Sequence, residues 1–499
     1  MINKQLVPVA IILVAFGLRL TALSARSLWY DEAFAVLFAE KGFQAMLAGT
    51  LTPVAGAASD VHPVVYYTAL NGWIQIFGQS PFSVRLLSVF SGLLTVAVSY
   101  AVGRRLFNGR AASAGMLVVA ISPFHVYYSQ ETRMYAPLAL FCALGVLFFL
   151  RATTRDTRRE AAIRDWLGLS ISAALAMYMQ NLAVFFLLAF GLSTLPRPKV
   201  FAKVAAAGAA AFGLWLPWFL NLPGQLAKLR QAYWVTRPDF VTLLQTALVY
   251  HAGEELVAAR ALLPLALFTA ILLPIFLLWQ IFRQRREPAA RQAMWLMGSA
   301  VGAPLLLFLA SLYQPVFIQR ALLPASLMYS IALGWLLAGV TIPALIRVVL
   351  GSFLAATSIA GLWAHYTFAQ FPRPNFQTAV AFLHESVAPG DVILHSNKLT
   401  FFPMHYYDRT LPQSFLADPS GSGSDTLALP TQEVLGLLAV NDVETATSGA
   451  GRVWFVIFDR AIVEYAPEPH PHLAWLGANY VAQGERRFDD LAVYEFVRP

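Results

Sequence analysis

Cysteine is almost missing from this chain. Its one thiol, Cys142, lies inside an apolar run, which excludes an intrachain disulfide and a cysteine-based metal cluster. Charge is scarce as well: 12% of the 499 residues are charged and 58% are hydrophobic. A soluble domain carries about 25% charged residues, so half that share makes lipid the main solvent. No GxGxxG turn occurs anywhere, so no dinucleotide-type domain and no nucleotide cofactor are expected. The net charge of +8 does not point to nucleic acid, because it is unevenly spread. Residues 1–369 hold 27 of the 35 Lys and Arg and 12 of the 27 Asp and Glu, whereas residues 370–499 hold 8 and 15. Cations gathered in short loops are the orientation signal of a bilayer protein.

What the chain has instead is a series of long apolar runs. A span needs about 20 such residues. Eleven are predicted, near 6–24, 84–103, 111–128, 135–151, 166–179, 182–195, 201–220, 260–282, 293–312, 321–340 and 346–366. No small-residue cleavage site follows the first, so it reads as a retained span rather than a signal peptide. Basic residues fall in alternate loops: Arg104, Arg105 and Arg110; Arg151, Arg155, Arg158, Arg159 and Arg164; Arg197, Lys199 and Lys203; Arg283, Arg285, Arg286 and Arg291; and Arg347. With Lys4 they share the side of the N-terminus, which is therefore cytoplasmic. An odd number of spans then puts the C-terminal region outside. The expected fold is an all-α polytopic membrane domain, 1–369, followed by an extracytoplasmic α/β domain, 370–499.

Residues 63–78 are apolar but short, and Asn71, Gly72 and Gln75 interrupt them. Counting them as a span would put the arginine clusters outside. They read as an interfacial helix with Tyr66, Tyr67 and Trp73 at headgroup level. The first external loop then runs over 25–83, the longest connection in the membrane region, and long loops on rigid scaffolds carry function. In the tail, helices are predicted at 376–387 and 431–440. Strands are predicted at 391–395, at 453–458, near Tyr480 and at 491–496. A flexible loop is expected over 418–425 and a turn at His470–His472.

Acids and bases gather at the outer mouths of spans: Asp31 and Glu32, Asp60 and His62, Gln130, Glu131 and Arg133, and Arg320. Ionisable groups at such depth are functional candidates, because leaving them unpaired costs several kcal/mol. The set suits one reaction. Moving a sugar from a polyprenyl phosphate to a hydroxyl needs a carboxylate to take the acceptor's proton, and cations or a metal to stabilise the departing phosphate.

Five stretches carry a resemblance: RLTALSARSLWYDE from Arg19 to Glu32, DVHP from Asp60, RLLS from Arg85, SQETRMY from Ser129 to Tyr135, and PVFIQRALLP around Arg320. Together they resemble the membrane-embedded C-type glycosyltransferases. The likeness is to the dolichyl-phosphate-mannose–protein mannosyltransferases and the bacterial aminoarabinose lipid A transferases, over roughly residues 1–340. One departure is Val64, where the family usually has a second proline after the His-Pro of His62 and Pro63. The resemblance implies a multi-pass enzyme of a bacterial cytoplasmic membrane, with a polyprenyl-phosphate-sugar donor and a lipid, glycan or protein acceptor. It implies the Asp of the Asp31–Glu32 pair as catalytic base, or as an acid positioning the acceptor, and the catalytic candidates are Asp31, Glu32 and Glu131. Substrate contacts are expected from Arg19, Tyr30, His62, Arg85, Gln130, Arg133, Tyr135, Trp234 and Arg320. Some relatives bind a divalent ion through loop carboxylates and a histidine, and the candidates here are Asp60, His62 and His251.

Plainer readings stand beside these. Asp31 and Glu32 also suit the N-cap and first turn of a helix over 33–41. Glu131 and Arg133 suit a structural clamp, and His251 with Glu254 a solvated face. A transporter or lipid flippase is the rival function. It calls for inverted repeats with broken spans in matching positions, and no such symmetry is visible.

Overall fold

The computed structural model describes residues 6–153, 159–231, 234–259, 262–339, 341–418 and 426–499. Lys4, Arg155, Arg158, Arg260 and most of the loop expected over 418–425 lie outside them. The chain divides into two compact units, the first made of residues 1–21, 85–220 and 235–367, the second of 22–84, 221–234 and 368–499.

The first unit is helical. Among the described residues, seven helices are long and apolar enough to cross a membrane, or eight if the bent pair Gly109–Ile121 and Pro123–Ser129 counts as one span. Leu6–Leu20 and Ala183–Leu192 are apolar but shorter, and Arg159–Met179 is a further long helix. All eleven predicted spans coincide with helices of this series. Many side chains turn apolar surface outward, including Leu13, Phe90, Ile271 and Phe282, as helices solvated by lipid do.

Two local features shape this unit. Pro123 has no N–H and forces the residue before it out of the helical region. Ser122 accordingly takes φ −63° and ψ 120°, its hydroxyl caps the His125 N–H, and the chain bends by 58°. Elsewhere, glycine lets two spans touch backbone to backbone. A Cβ on Gly334 would lie 2.2 Å from the Gly115 nitrogen, so Leu323–Ala338 and Gly109–Ile121 meet where neither carries a side chain.

The second unit holds one mixed sheet of five strands: β1 (Val392–His395), β2 (Gln413–Phe415), β3 (Arg452–Phe458), β4 (Val481–Phe488) and β5 (Leu491–Val497). Their order is β2-β1-β3-β5-β4, with β1 parallel to β2 and β3 and the other pairs antiparallel. Strand β3 is buried on both faces. Trp454, Val456 and Phe458 pack with the Phe376–Ser386 helix, and Val453, Phe455 and Ile457 pack with Leu476 and Tyr480. An unbroken apolar run is what such a strand requires. The loop 25–83 carries three helices of its own, Tyr30–Ala39, Phe43–Leu51 and Val65–Phe77.

Several expectations need correction here. Tyr66 and Tyr67 are fully buried, with Tyr67 edge-on to Phe34 and Phe38, so they build this unit's core rather than a headgroup belt. The helix predicted over 431–440 is Leu429–Leu435, ended by Gly436 at φ 71°. His470 opens the Pro471–Asn479 helix as its N-cap instead of sitting in a plain turn. The Lys398–Tyr407 helix and strand β2 were not expected at all.

Candidate functional site

In the first unit the Ser129–Tyr135 stretch is almost wholly buried, although it carries Gln130, Glu131 and Arg133. Around it the Tyr128 hydroxyl donates to Glu254 at 2.5 Å, and Glu131 and Arg320 lie close enough to act on the same hydroxyl electrostatically. The Tyr128 and Tyr135 rings stand 5.1 Å apart, and the Arg320 guanidinium lies over the Tyr135 ring at 5.2 Å. Two carboxylates, two phenols and a guanidinium therefore converge in this unit.

Beside this cluster runs a buried hydrogen-bond chain. The Gln130 Nε2 donates to the carbonyls of Arg19 at 2.9 Å, Thr21 at 2.8 Å and Leu18 at 3.5 Å, closing the C-terminus of the first helix. That fixes its Oε1 towards His365 Nε2, 2.7 Å away, so Nε2 must carry the proton. The other ring nitrogen meets Glu255 at 3.2 Å. Arg19 is fully buried and donates to Ser129 Oγ and to the carbonyls of Ala15, Val119 and Ala120. The last two carbonyls lie at the break before Pro123, where helix donors are lacking.

In the second unit, Trp29 is the N-cap of the Tyr30–Ala39 helix, so Asp31 and Glu32 occupy its second and third positions rather than the cap. Asp31 is half-buried. Glu32 is fully buried and accepts from Arg373 at 2.7 Å. Asp60 Oδ1 meets His62 Nδ1 at 3.0 Å and accepts the Val61 and His62 N–H groups, a tight turn built on one carboxylate. Trp234 is 60% exposed. Among the described residues, no three or more His, Cys, Asp or Glu side chains gather as a metal-ligand set. Asp60 and His62 supply two ligand types of such a set and are bonded to each other.

The structure thus brings Gln130, Glu131, Tyr135 and Arg320 into one neighbourhood, with Tyr128 and Glu254 added. Arg85 is buried in the same unit. Expectations for His251 and Glu254 need correction. His251 is 2% exposed, donates from Nδ1 to the Ala247 carbonyl and accepts from Tyr329, so it is neither a solvated face nor a poised ligand. Gly253, at φ 77° and ψ 174°, breaks the helix there and turns Glu254 and Glu255 inward. His365 and Arg373 were missed. Lone ionisable groups at the end of an apolar span and between Pro372 and Pro374 were the available signals.

The likeness to known proteins lies in one segment of the sequence and in the fold. Residues 61–221 match the family model described as dolichyl-phosphate-mannose-protein mannosyltransferase. No curated protein matches the sequence. The crystal structure of ArnT from Cupriavidus metallidurans in the apo state aligns over 98% of this chain and 97% of its own, with TM-score 0.64 and 15% identity. The same ArnT bound to undecaprenyl phosphate aligns equally far, with TM-score 0.59 and 15% identity. The apo oligosaccharyltransferase of Archaeoglobus fulgidus covers 92% of this chain and 70% of its own, with TM-score 0.56 and 13% identity. This chain has the C-type glycosyltransferase fold. It is a multi-pass membrane protein.

Proposed function

We propose that the chain is an integral-membrane glycosyltransferase that moves a sugar from a polyprenyl-phosphate donor to a hydroxyl of a lipid, glycan or protein acceptor. The observation that carries this is the fold likeness, over 98% of the chain, to an ArnT solved with undecaprenyl phosphate bound. The partial family match over 61–221 supports the same reading. A flippase reading gains nothing from either.

All eleven apolar helices cross a bacterial cytoplasmic membrane, on this proposal, with the N-terminus inside. Residues 1–369 form the membrane domain, with the active-site motif in the 25–83 loop, and 370–499 an extracytoplasmic domain.

Asp31 acts as general base. It takes the acceptor's proton as the acceptor oxygen attacks the anomeric carbon, the bond to the phosphate oxygen breaks, and the polyprenyl phosphate leaves. Arg320 takes up the charge developing on that phosphate, held by the Tyr135 ring beneath it. Glu131 is the second catalytic carboxylate on this proposal, and Tyr30, Tyr135, Arg133, Arg85, His62 and Trp234 are substrate contacts, whereas Gln130, spent on three backbone carbonyls and His365, positions. Glu32 and Arg19 position rather than touch substrate, one inside an ion pair and the other on backbone carbonyls. Comparing glycolipids and glycoproteins by mass spectrometry in cells with and without the gene tests this reading. A sugar missing from one carrier in the deletion supports it, and identical profiles overturn it.

A further inference from the structure

Two cations from the C-terminal part of the chain reach the short motif Trp29-Tyr30-Asp31-Glu32. Both lie in the second unit with it. Arg373 directly precedes Pro374, which biases its backbone to extended conformations and makes it a stiffer support. It is 5% exposed, bonds to Glu32 at 2.7 Å, and lies over the Trp29 ring at 5.5 Å. Lys398 is 7% exposed and lies over the Tyr30 ring at 5.5 Å. It opens the Lys398–Tyr407 helix, capped by Asn397, where a cation opposes the helix dipole. A buried lysine in that position goes against local preference, and such conflicts gather at functional places.

The same helix packs on the motif's own helix at further points. Phe402 stands edge-on to Tyr30 at 5.6 Å, and the Tyr407 hydroxyl accepts the Leu28 N–H at 2.8 Å. Just beyond it, Arg409 holds Glu40 through two hydrogen bonds at 2.6 and 3.0 Å. The helix that carries Asp31 is thus fastened at its start and at its end by residues after Phe368.

We infer that the C-terminal segment is a positioning part of the catalytic machinery, Arg373 acting through Glu32 and Lys398 through Tyr30 to hold Asp31 between them. This rests on Asp31 being the base. Both chain neighbours of Asp31 are gripped by buried cations. A base displaced by about an ångström loses on the order of a hundredfold in rate, which makes such a grip consequential.

The test uses the full-length protein and two readouts. Lys398→Met, and the pair Glu32→Gln with Arg373→Gln, are assayed for transfer and for melting temperature, with Lys398→Arg as the conservative control. Expected is a kcat lower by about tenfold or more with donor KM within about twofold, folded yield kept, and partial rescue by Lys398→Arg. The second readout needs no activity. In a Cys142→Ala background, Asp31→Cys is titrated with an anionic methanethiosulfonate reagent, with and without Lys398→Met. Loss of a neighbouring cation slows thiolate formation and reagent approach, so modification slows by about fivefold or more. Unchanged thiol reactivity, or kcat unchanged while transfer is measurable, overturns the positioning role. A changed thiol reactivity in a protein that transfers no sugar leaves the grip standing and overturns the proposed function instead.

Discussion

The side-chain carbonyl of Gln130 stands 2.7 Å from His365 Nε2, and its orientation is dictated from the other end. Three backbone carbonyls surround its NH2 group, so the amide cannot flip without facing oxygen to oxygen. Gln130→Glu places an acceptor where donors are required. The expected loss is about 2–3 kcal/mol, from buried carbonyls left unsatisfied. A thermal melt in detergent reads it, and Gln130→Glu melting with the wild type would show that the chain does not hold the first helix.

Gly334 and Gly115 make a second, sharper prediction. An alanine at 334 drives its Cβ to 2.2 Å from the Gly115 nitrogen, a backbone contact that cannot yield. By contrast, a Cβ on Gly351, also inside a long helix, meets nothing within 4 Å. Gly334→Ala should cost about 2–4 kcal/mol or the folded state itself, through overpacking. Gly351→Ala should be neutral or stabilising by up to about 1 kcal/mol. The comparison of the two folded yields is the measurement.

The apolar runs were enough to locate the long helices of the first unit apart from Phe240–Ala259, because lipid imposes a length and composition on a span. Asp31, Glu131 and Arg320 stood out as candidates for a related reason: they are ionisable groups at the ends of apolar runs. Partnerships over long sequence distances were not. Nothing near Glu32 announces Arg373, and nothing near Gln130 announces His365. Gly253 hid in a stretch of helical periodicity, so Glu254 was read as surface. The Lys398–Tyr407 helix escaped because Pro403 and four aromatics blur its pattern.

His395, on β1, sets a pH dependence. Burial lowers its pKa from 6.5 to about 3, with a hydrogen bond to Gln413 working the other way and the nearby His405 charge adding to the drop. The folded state therefore keeps it neutral where the unfolded chain takes up a proton. Its contribution is fully present above pH 6.5 and is lost as pH falls towards 3. The expected slope is about 1.4 kcal/mol per pH unit, or about 2 kcal/mol by pH 5. Unfolding followed between pH 7 and 5 should show this slope in the wild type and a flatter one in His395→Gln.

Sidedness has its own test. Ser448 is exposed in the second unit and Arg110 is exposed in the first, while Cys142 is buried and silent. Ser448→Cys should react with an impermeant maleimide on intact spheroplasts, and Arg110→Cys only after permeabilisation. The reverse pattern would invert the orientation and with it the extracytoplasmic site.

The most direct measurement is sugar transfer by purified protein carrying Asp31→Asn. The substitution keeps size and most hydrogen bonding but removes the proton acceptor. With the polyprenyl-phosphate donor and acceptor identified by mass spectrometry, turnover should fall by about a hundredfold or more, the usual contribution of a positioned base. The melting temperature should stay within about 2 °C, since Asp31 is half-buried and Glu32 keeps the ion pair. Transfer at the wild-type rate would contradict the account and move the base to Asp60 or Glu131.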